Sequence, residues 1–458
     1  MTRREALRSL LAATGGLTLG PSELVGSQEP RDDSRLGPTG PSSAGGFVHP
    51  PIQTPSLQPF GIDFSEEAVA DLHRRIDRFR WPEMPFDTGW SAGTDGEVLR
   101  ELVDHWRNDY DWFAVQDRLN ELTHLKGPVE GEGLHCVVYR SGGGIGDAGD
   151  DTGRIGGAVG AGGGAGAAEA GDSFPLLLLH GWPGSFHEFH EAAPRLAAGI
   201  GGTQGFDVVV PSLPGFVLSD PPTERGMDPT RIAERLHALM GELGYGRYGV
   251  QGGDWGGIIG TQMARLFPDA LVGLHLNFVA SAPPPPEGVE PSPEEVAYRE
   301  ARARFSDAET GYSAIQGTKP RTLAYAQQDS PVGWLAWMLE KYWAWSDHGE
   351  DLWDTFSRDD VLTTAMLYWM PGRILSAARI YYETSNPVSD RRVGGRVEVP
   401  TGYARFPAEP WAPPVEVVER TYNVVRYTEP DRGGHFPALE QPEIWSEDVG
   451  RFFSEVRG

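Results

Sequence analysis

Cysteine is nearly missing. The 458 residues contain one, Cys136, which excludes an intrachain disulfide and a zinc site built from a cysteine cluster. Lysine is almost as scarce: Lys126, Lys319 and Lys341 are the whole complement, so arginine carries nearly all the positive charge. Basic residues number 39 against 65 acidic ones, a formal net charge of −26 with histidines neutral. A chain this acidic lacks the basic footprint that phosphate backbones require, which argues against nucleic acid as a partner. No uninterrupted apolar run reaches 18 residues, so no transmembrane anchor is expected. The phosphate-cradling sequence GxxxxGK[ST] is absent too, despite the abundance of glycine.

What is present describes a folded protein. A hydrophobic content of 39% with 10% aromatic residues suffices for a sizeable core. At roughly 100–200 residues per domain, the length admits several domains or one large elaborated one. Lysine-poor acidity suits a salty setting or a GC-rich genome, and composition does not separate the two.

The chain opens Met1-Thr2-Arg3-Arg4 and continues into the mildly apolar LRSLLAATGGLTLG. Paired arginines before such a stretch resemble a twin-arginine export signal, so residues 1–26 are read as a leader to the periplasm or the exterior. No A-x-A cleavage site follows, and the alternative is a frayed amphipathic start of a cytoplasmic protein. Residues 27–56, rich in Pro, Ser and Gly, read as a linker. In 57–140, Val69, Leu72, Ile76 and Phe79 recur at helical spacing, with Ser65 as N-cap and Pro82 at the stop. A second helix is expected through VLRELVDHWRNDYDWFAVQDRLNEL, then a strand at LHCVVYR. Within the insertion 141–173, 14 of the 30 residues from 142 to 171 are glycine, too little apolar surface to offset the ordering entropy. From 174 to 282, PLLLLHG, FDVVVPSLPG, YGVQGGD and ALVGLHLNFV are apolar runs of the kind buried on both faces, with helical patterns between. Aromatic-rich helical sequence at 283–390 interrupts them, and VEVPTGYARF and NVVRYTE return as strands within 391–458. The expectation is an α/β protein with a doubly wound, mostly parallel sheet, a helical cap and an N-terminal helical extension.

Three local patterns carry chemistry. Gly252-Gly253-Asp254-Trp255-Gly256-Gly257 lies between strand and helix, where small neighbours allow a sharp turn that exposes the central side chain. With Asp at the centre, the expected reaction is attack on an electrophilic sp³ carbon to give an alkyl ester. The plain alternative is a turn with Asp254 as helix N-cap. About 70 residues upstream, His180-Gly181-Trp182-Pro183-Gly184 follows a strand, where backbone N–H groups of Trp182 and Trp255 would form an oxyanion hole. Near the end, Gly433-Gly434-His435-Phe436 offers His435 as general base, in the chain order nucleophile, acid, histidine. Asp390, Glu409, Glu416 and Asp431 are candidates to orient it. Glu409, at the end of a strand, is favoured, and Asp431 is too close in sequence.

Together with RFRWPEMP, GYSAIQGTKP, MLYWMPGRILSAARIYYE, VPTGYARFPAE and GGHFPALEQP, these motifs resemble the epoxide hydrolases of the microsomal and juvenile-hormone type over about residues 55–455, apart from the glycine-rich insertion. The resemblance implies an α/β-hydrolase fold, Asp254 as nucleophile, His435 as base, Glu409 as its acid, and Tyr312 and Tyr381 as the cap tyrosines, with Tyr382 the less favoured alternate. It implies hydrolysis of a lipophilic epoxide to a vicinal diol with no cofactor and no metal. Two phenols fit the chemistry, since an opening epoxide must be protonated to leave. The competing reading is a haloalkane or haloacid dehalogenase, with Trp182 and Trp255 as halide donors; a catalytically dead binding protein is a third. The N-terminal region is expected either to wrap the core or to mediate a homodimer.

Overall fold

Leucine- and valine-rich runs that show no polar alternation become the centre of a nine-stranded sheet in the computed structural model, which describes residues 56–83, 86, 88–141, 174–388 and 393–457. The strands are β1 (Gln58–Pro59), β2 (Thr123–Val129), β3 (Glu132–Tyr139), β4 (Phe174–Leu179), β5 (Phe206–Ser212), β6 (Tyr248–Gly252), β7 (Leu271–Leu276), β8 (Val397–Ala404) and β9 (Tyr422–Thr428). Their order is β1-β2-β3-β5-β4-β6-β7-β8-β9. Pairing is antiparallel through β3–β5 and parallel from there to β9. Every residue of β4, β5, β6 and β7 is buried, as strands covered on both faces must be. Helix Pro229–Glu242 packs on helix Asp254–Leu266, and Ala192–Ala198 packs on Pro442–Val456. The doubly wound expectation therefore holds.

The N-terminal region departs from its expectation in three places. Ser65 does cap helix Glu66–Asp77, accepting the Ala68 N–H at 3.3 Å, and Val69, Leu72 and Ile76 are buried. That helix stops at Asp77, well before Pro82, because Phe79 turns back, its N–H bonding to Ile76 O, and packs edge-on against Trp81 with 5.0 Å between rings. The second pattern is two helices, Gly96–Asn108 and Trp112–Asn120. Asp111 starts the latter by accepting the N–H groups of Phe113 and Ala114, a capping geometry that ends any continuous helix. Finally, THLKGPV forms β2, so the extension is not purely helical: it supplies strands to the sheet edge.

Among the described residues between β7 and β8 lie the α-helices Pro293–Glu309, Gly311–Thr318, Pro320–Asp329, Pro331–Trp345, Arg358–Trp369 and Ile374–Ser385. N-terminal residues brace them from behind. His105 Nε2 meets Asp359 Oδ1 at 2.7 Å, Tyr110 Oη meets Thr363 Oγ1 at 3.0 Å, and Trp90 stacks on Trp343 with centroids 4.5 Å apart.

A histidine chain crosses the buried sheet. His124 Nε2 donates to Leu119 O at 2.7 Å, which leaves its Nδ1 to accept from His135 Nε2 at 2.8 Å. His135 Nδ1 then accepts from the Ser212 hydroxyl at 2.8 Å. The row is satisfied with both rings neutral, and burial holds both pKa values below the ordinary imidazole range.

The expected leader, the linker up to residue 55, the glycine-rich run from 142 and Asp390 lie outside the described residues. Among the described residues no helix is long and apolar enough to cross a membrane.

Candidate active site

Four carboxyl ends of parallel strands meet at one place, the usual site of chemistry in an open α/β sheet. After β6, Gly253 is the N-cap of helix Asp254–Leu266, and Asp254 begins the helix at φ +45°. A non-glycine residue in the left-handed region costs roughly 1–2 kcal/mol and persists only where packing enforces it. The enforcement is visible: a Cβ on Gly256 would overlap the carbonyl of Leu179 at the end of β4. Asp254 is thus a strained helix-start residue, not the N-cap.

After β4, the loop carrying Trp182 comes up against this carboxylate. A Cβ on Gly181 would collide with the Asp254 side chain, so only glycine admits the approach. The Trp182 N–H donates to Asp254 Oδ1 at 2.8 Å. Trp255 follows Asp254 in the first turn of the helix, and its ring stands edge-on to Tyr381 at 4.7 Å.

The other carboxylate oxygen faces His435: Asp254 Oδ2 is 3.4 Å from Nε2. His435 Nδ1 bonds to Glu409 Oε2 at 2.8 Å, from the loop after β8. Of the remaining candidate acids, Glu416 instead accepts from Ser292 and Asp431 is exposed. Burial opposes charge on His435, but Glu409 and Asp254 outweigh it and lift the imidazole pKa well above its ordinary value.

Tyr312, on helix Gly311–Thr318, and Tyr381, on helix Ile374–Ser385, hang over the carboxylate with ring centroids 5.8 Å apart. Trp182 stacks flat on Tyr312 at 5.1 Å and stands edge-on to Tyr381 at 5.9 Å. The Tyr381 hydroxyl is buried without a hydrogen-bond partner among the described residues. Burial first, then the neighbouring phenol and the Asp254 charge, keep it protonated far beyond the usual range. Tyr382 points elsewhere, under the Arg225 guanidinium at 4.9 Å. Asp254, His435, Glu409, Tyr312, Phe278, Phe305, Trp345 and Trp411 line one narrow cavity, polar at its base and aromatic on its walls.

Sequence patterns miss several neighbours. Glu440 accepts N–H groups from Gly434 (2.9 Å), Phe436 (2.8 Å) and Asp347 (2.7 Å), clamping the His435 loop to the cap. Burial, against these donors, pushes its carboxyl up to about 7. Lys341 is buried, with its ammonium 4.7 Å from the Tyr312 ring centre. Glu188 borders Asp254 and His435 on a second side. Only the Glu440 position, close behind GGHF, offers any hint in one dimension. Among the described residues His187, His190 and Asp360 could ligate a metal, their ligand atoms lying within 4.8 Å, but His187 Nε2 is already paired with Asp360 Oδ1 at 2.9 Å.

Comparison with known proteins agrees with this architecture. Residues 57–189 match the family described as "Epoxide hydrolase N terminus", and residues 175–335 match the alpha/beta hydrolase fold. The chain is 33% identical to "Epoxide hydrolase 1" of Sus scrofa, over 87% of this chain and 88% of that one. It is 32% identical to "Juvenile hormone epoxide hydrolase" of Bombyx mori, over 88% of each chain. The chain belongs to the epoxide hydrolases. The crystal structure of the silkworm juvenile hormone epoxide hydrolase superposes with a TM-score of 0.73 at 31% identity, covering 88% of this chain and 94% of that one. This epoxide hydrolase therefore has the α/β-hydrolase fold that its sheet order describes.

Proposed function

We propose that this enzyme adds water to a lipophilic epoxide in two steps, through an ester on Asp254. The observation that carries the reading is the double placement of one carboxylate: Oδ1 on the Trp182 N–H and Oδ2 toward His435, beneath two buried phenols. Tyr312 and Tyr381 hydrogen-bond the ring oxygen, Asp254 attacks one ring carbon in line, and the C–O bond breaks as a phenol protonates the oxygen. His435, oriented by Glu409, then takes a proton from water, whose oxygen attacks the Asp254 carboxyl carbon. The oxyanion gathers against the Trp182 N–H, assisted by the positive end of helix Asp254–Leu266. Collapse releases the vicinal diol, and the carboxyl proton returns to the phenolate. Aromatic walls from Phe278, Phe305, Trp345 and Trp411 favour an apolar substituent on the epoxide.

Single turnover in heavy-oxygen water tests this. The first diol released carries ordinary oxygen from Asp254, and the label enters the side chain; label appearing directly in that first diol would overturn the scheme. Export belongs to the same proposal, supported by Arg3-Arg4 and the stretch behind it. Replacing both arginines by lysine should then retain the protein in the cytoplasm, as fractionation would reveal.

A further inference from the structure

A second, smaller chamber meets Asp254 and His435 on the side away from the aromatic cavity. Its lining includes Trp182, Gly184, Glu188, Gly253, Asp254 and His435. It excludes Tyr312, Tyr381 and the tryptophans of the substrate cavity, so the two spaces share only the groups that react. The division matters because hydrolysis needs water beside His435 while the diol moiety still fills the aromatic side.

The chamber is built around Glu188. The short 3₁₀ turn Phe186–Phe189 is capped by the Ser185 hydroxyl, which accepts the His187 N–H at 3.2 Å. His187 ties this turn outward to Asp360, on helix Arg358–Trp369. The next residue, Glu188, lines the chamber. Gly184 leaves room for it, because a Cβ there would overlap Glu188 Oε2. The Gly184 carbonyl is itself fixed, accepting from Tyr368 Oη at 2.6 Å. His435 lines the same chamber, its buried Nε2 3.4 Å from Asp254 Oδ2.

Resting on the function proposed above, we infer that Glu188 positions the hydrolytic water. One water hydrogen points to His435 Nε2 and the other to a Glu188 oxygen, which aims the water lone pair at the Asp254 carboxyl carbon. The first proton passes to His435 and the water oxygen bonds to that carbon. The ester C–O bond then breaks, and His435 returns its proton to the departing diol oxygen. Glu188 exchanges no proton in this step and is a positioning residue. Burial, with the charges of Asp254 and Glu440 adding and His435 opposing, pushes its carboxyl up to about 8. At neutral pH it therefore keeps a carbonyl oxygen free to accept without placing another negative charge beside the nucleophile.

Rapid-mixing kinetics with styrene oxide separate ester formation from ester hydrolysis. Glu188→Ala should slow hydrolysis ~10- to 100-fold while ester formation stays within about twofold, so the ester accumulates. Glu188→Gln, with the same shape and an amide oxygen that still accepts, should recover part of the loss and guards against a folding defect in the alanine variant. A merely structural role would loosen the Trp182 loop and slow both steps together. Equal slowing of both steps, or hydrolysis unchanged in both variants, overturns the inference and leaves the two-step reaction intact. Absence of any ester in His435→Gln, judged by intact-protein mass, overturns the two-step reaction and this inference with it.

Discussion

His435 and the His124–His135 row are all buried, yet burial leads to opposite ends in the two places. In the row every partner is neutral: a carbonyl, another imidazole, a hydroxyl. Nothing compensates a proton there, so both rings stay uncharged and serve as cross-strand hydrogen bonds. At His435 two carboxylates compensate the charge, and the imidazole pKa rises instead. What separates a base from a structural bracket is the company of acids, not depth. In the reaction proposed above the comparison also has a temporal side: with Asp254 as an ester, one of the two acids is neutral, and His435 gives up its proton more readily at the moment that scheme needs a base.

The largest expected effect comes from removing the reactive side of the comparison. His435→Gln should abolish turnover by roughly three orders of magnitude or more while ester still forms, leaving the substrate mass on Asp254 in intact-protein spectra. Glu409→Gln, which removes one acid and keeps the hydrogen bond, should cut hydrolysis by about 10²-fold and lower the His435 pKa, measurable by NMR titration. Tyr312→Phe and Tyr381→Phe should each slow ester formation by about tenfold, with hydrolysis of preformed ester little changed. A pH study sharpens the temporal point: the acid limb of ester hydrolysis should fall below the His435 pKa of the free enzyme.

The smallest effect belongs to the row. His135→Leu leaves His124 Nδ1 and the Ser212 hydroxyl unpaired and should cost about 1–3 kcal/mol, with kcat unchanged. Its pH signature has a definite sign. The folded pKa values of His124 and His135 lie below the unfolded value of about 6.5, so the unfolded chain binds more protons and stability falls as pH drops through that value. His435 contributes the reverse: its stabilisation is complete below about 6.5 and is lost as pH rises through the raised folded value. His135→Leu should therefore flatten the acid slope of Tm against pH.

Much of the site is legible in one dimension because its constraints are local. GGDWGG announces a turn that small residues alone permit, and Asp254 at its centre adopts the strained φ such a turn requires. Glu409 is reachable by strand-end position, and the two tyrosines only by resemblance, since nothing local distinguishes Tyr312 or Tyr381 from twelve others. Lys341 meets Tyr312, Glu188 meets Asp254 and His435, and Glu440 reaches Asp347 only by closure between distant segments, so these partners are invisible until the chain folds. The same holds for β2: Gly127 and Pro128 break the apolar run, and its strand character comes from pairing with β1 and β3. The break at Asp111 was written as plainly as any cap, but a continuous apolar period around it masks the stop.

The N-terminal segment has one further consequence. It joins the sheet through β2 and β3 and grips the roof through His105, Tyr110 and Trp90. Those contacts fall on helices Pro331–Trp345 and Arg358–Trp369, and the first of these carries Trp345 into the wall of the aromatic cavity. The segment therefore acts as a buttress: the position of that wall is set in part by residues that never meet the cavity.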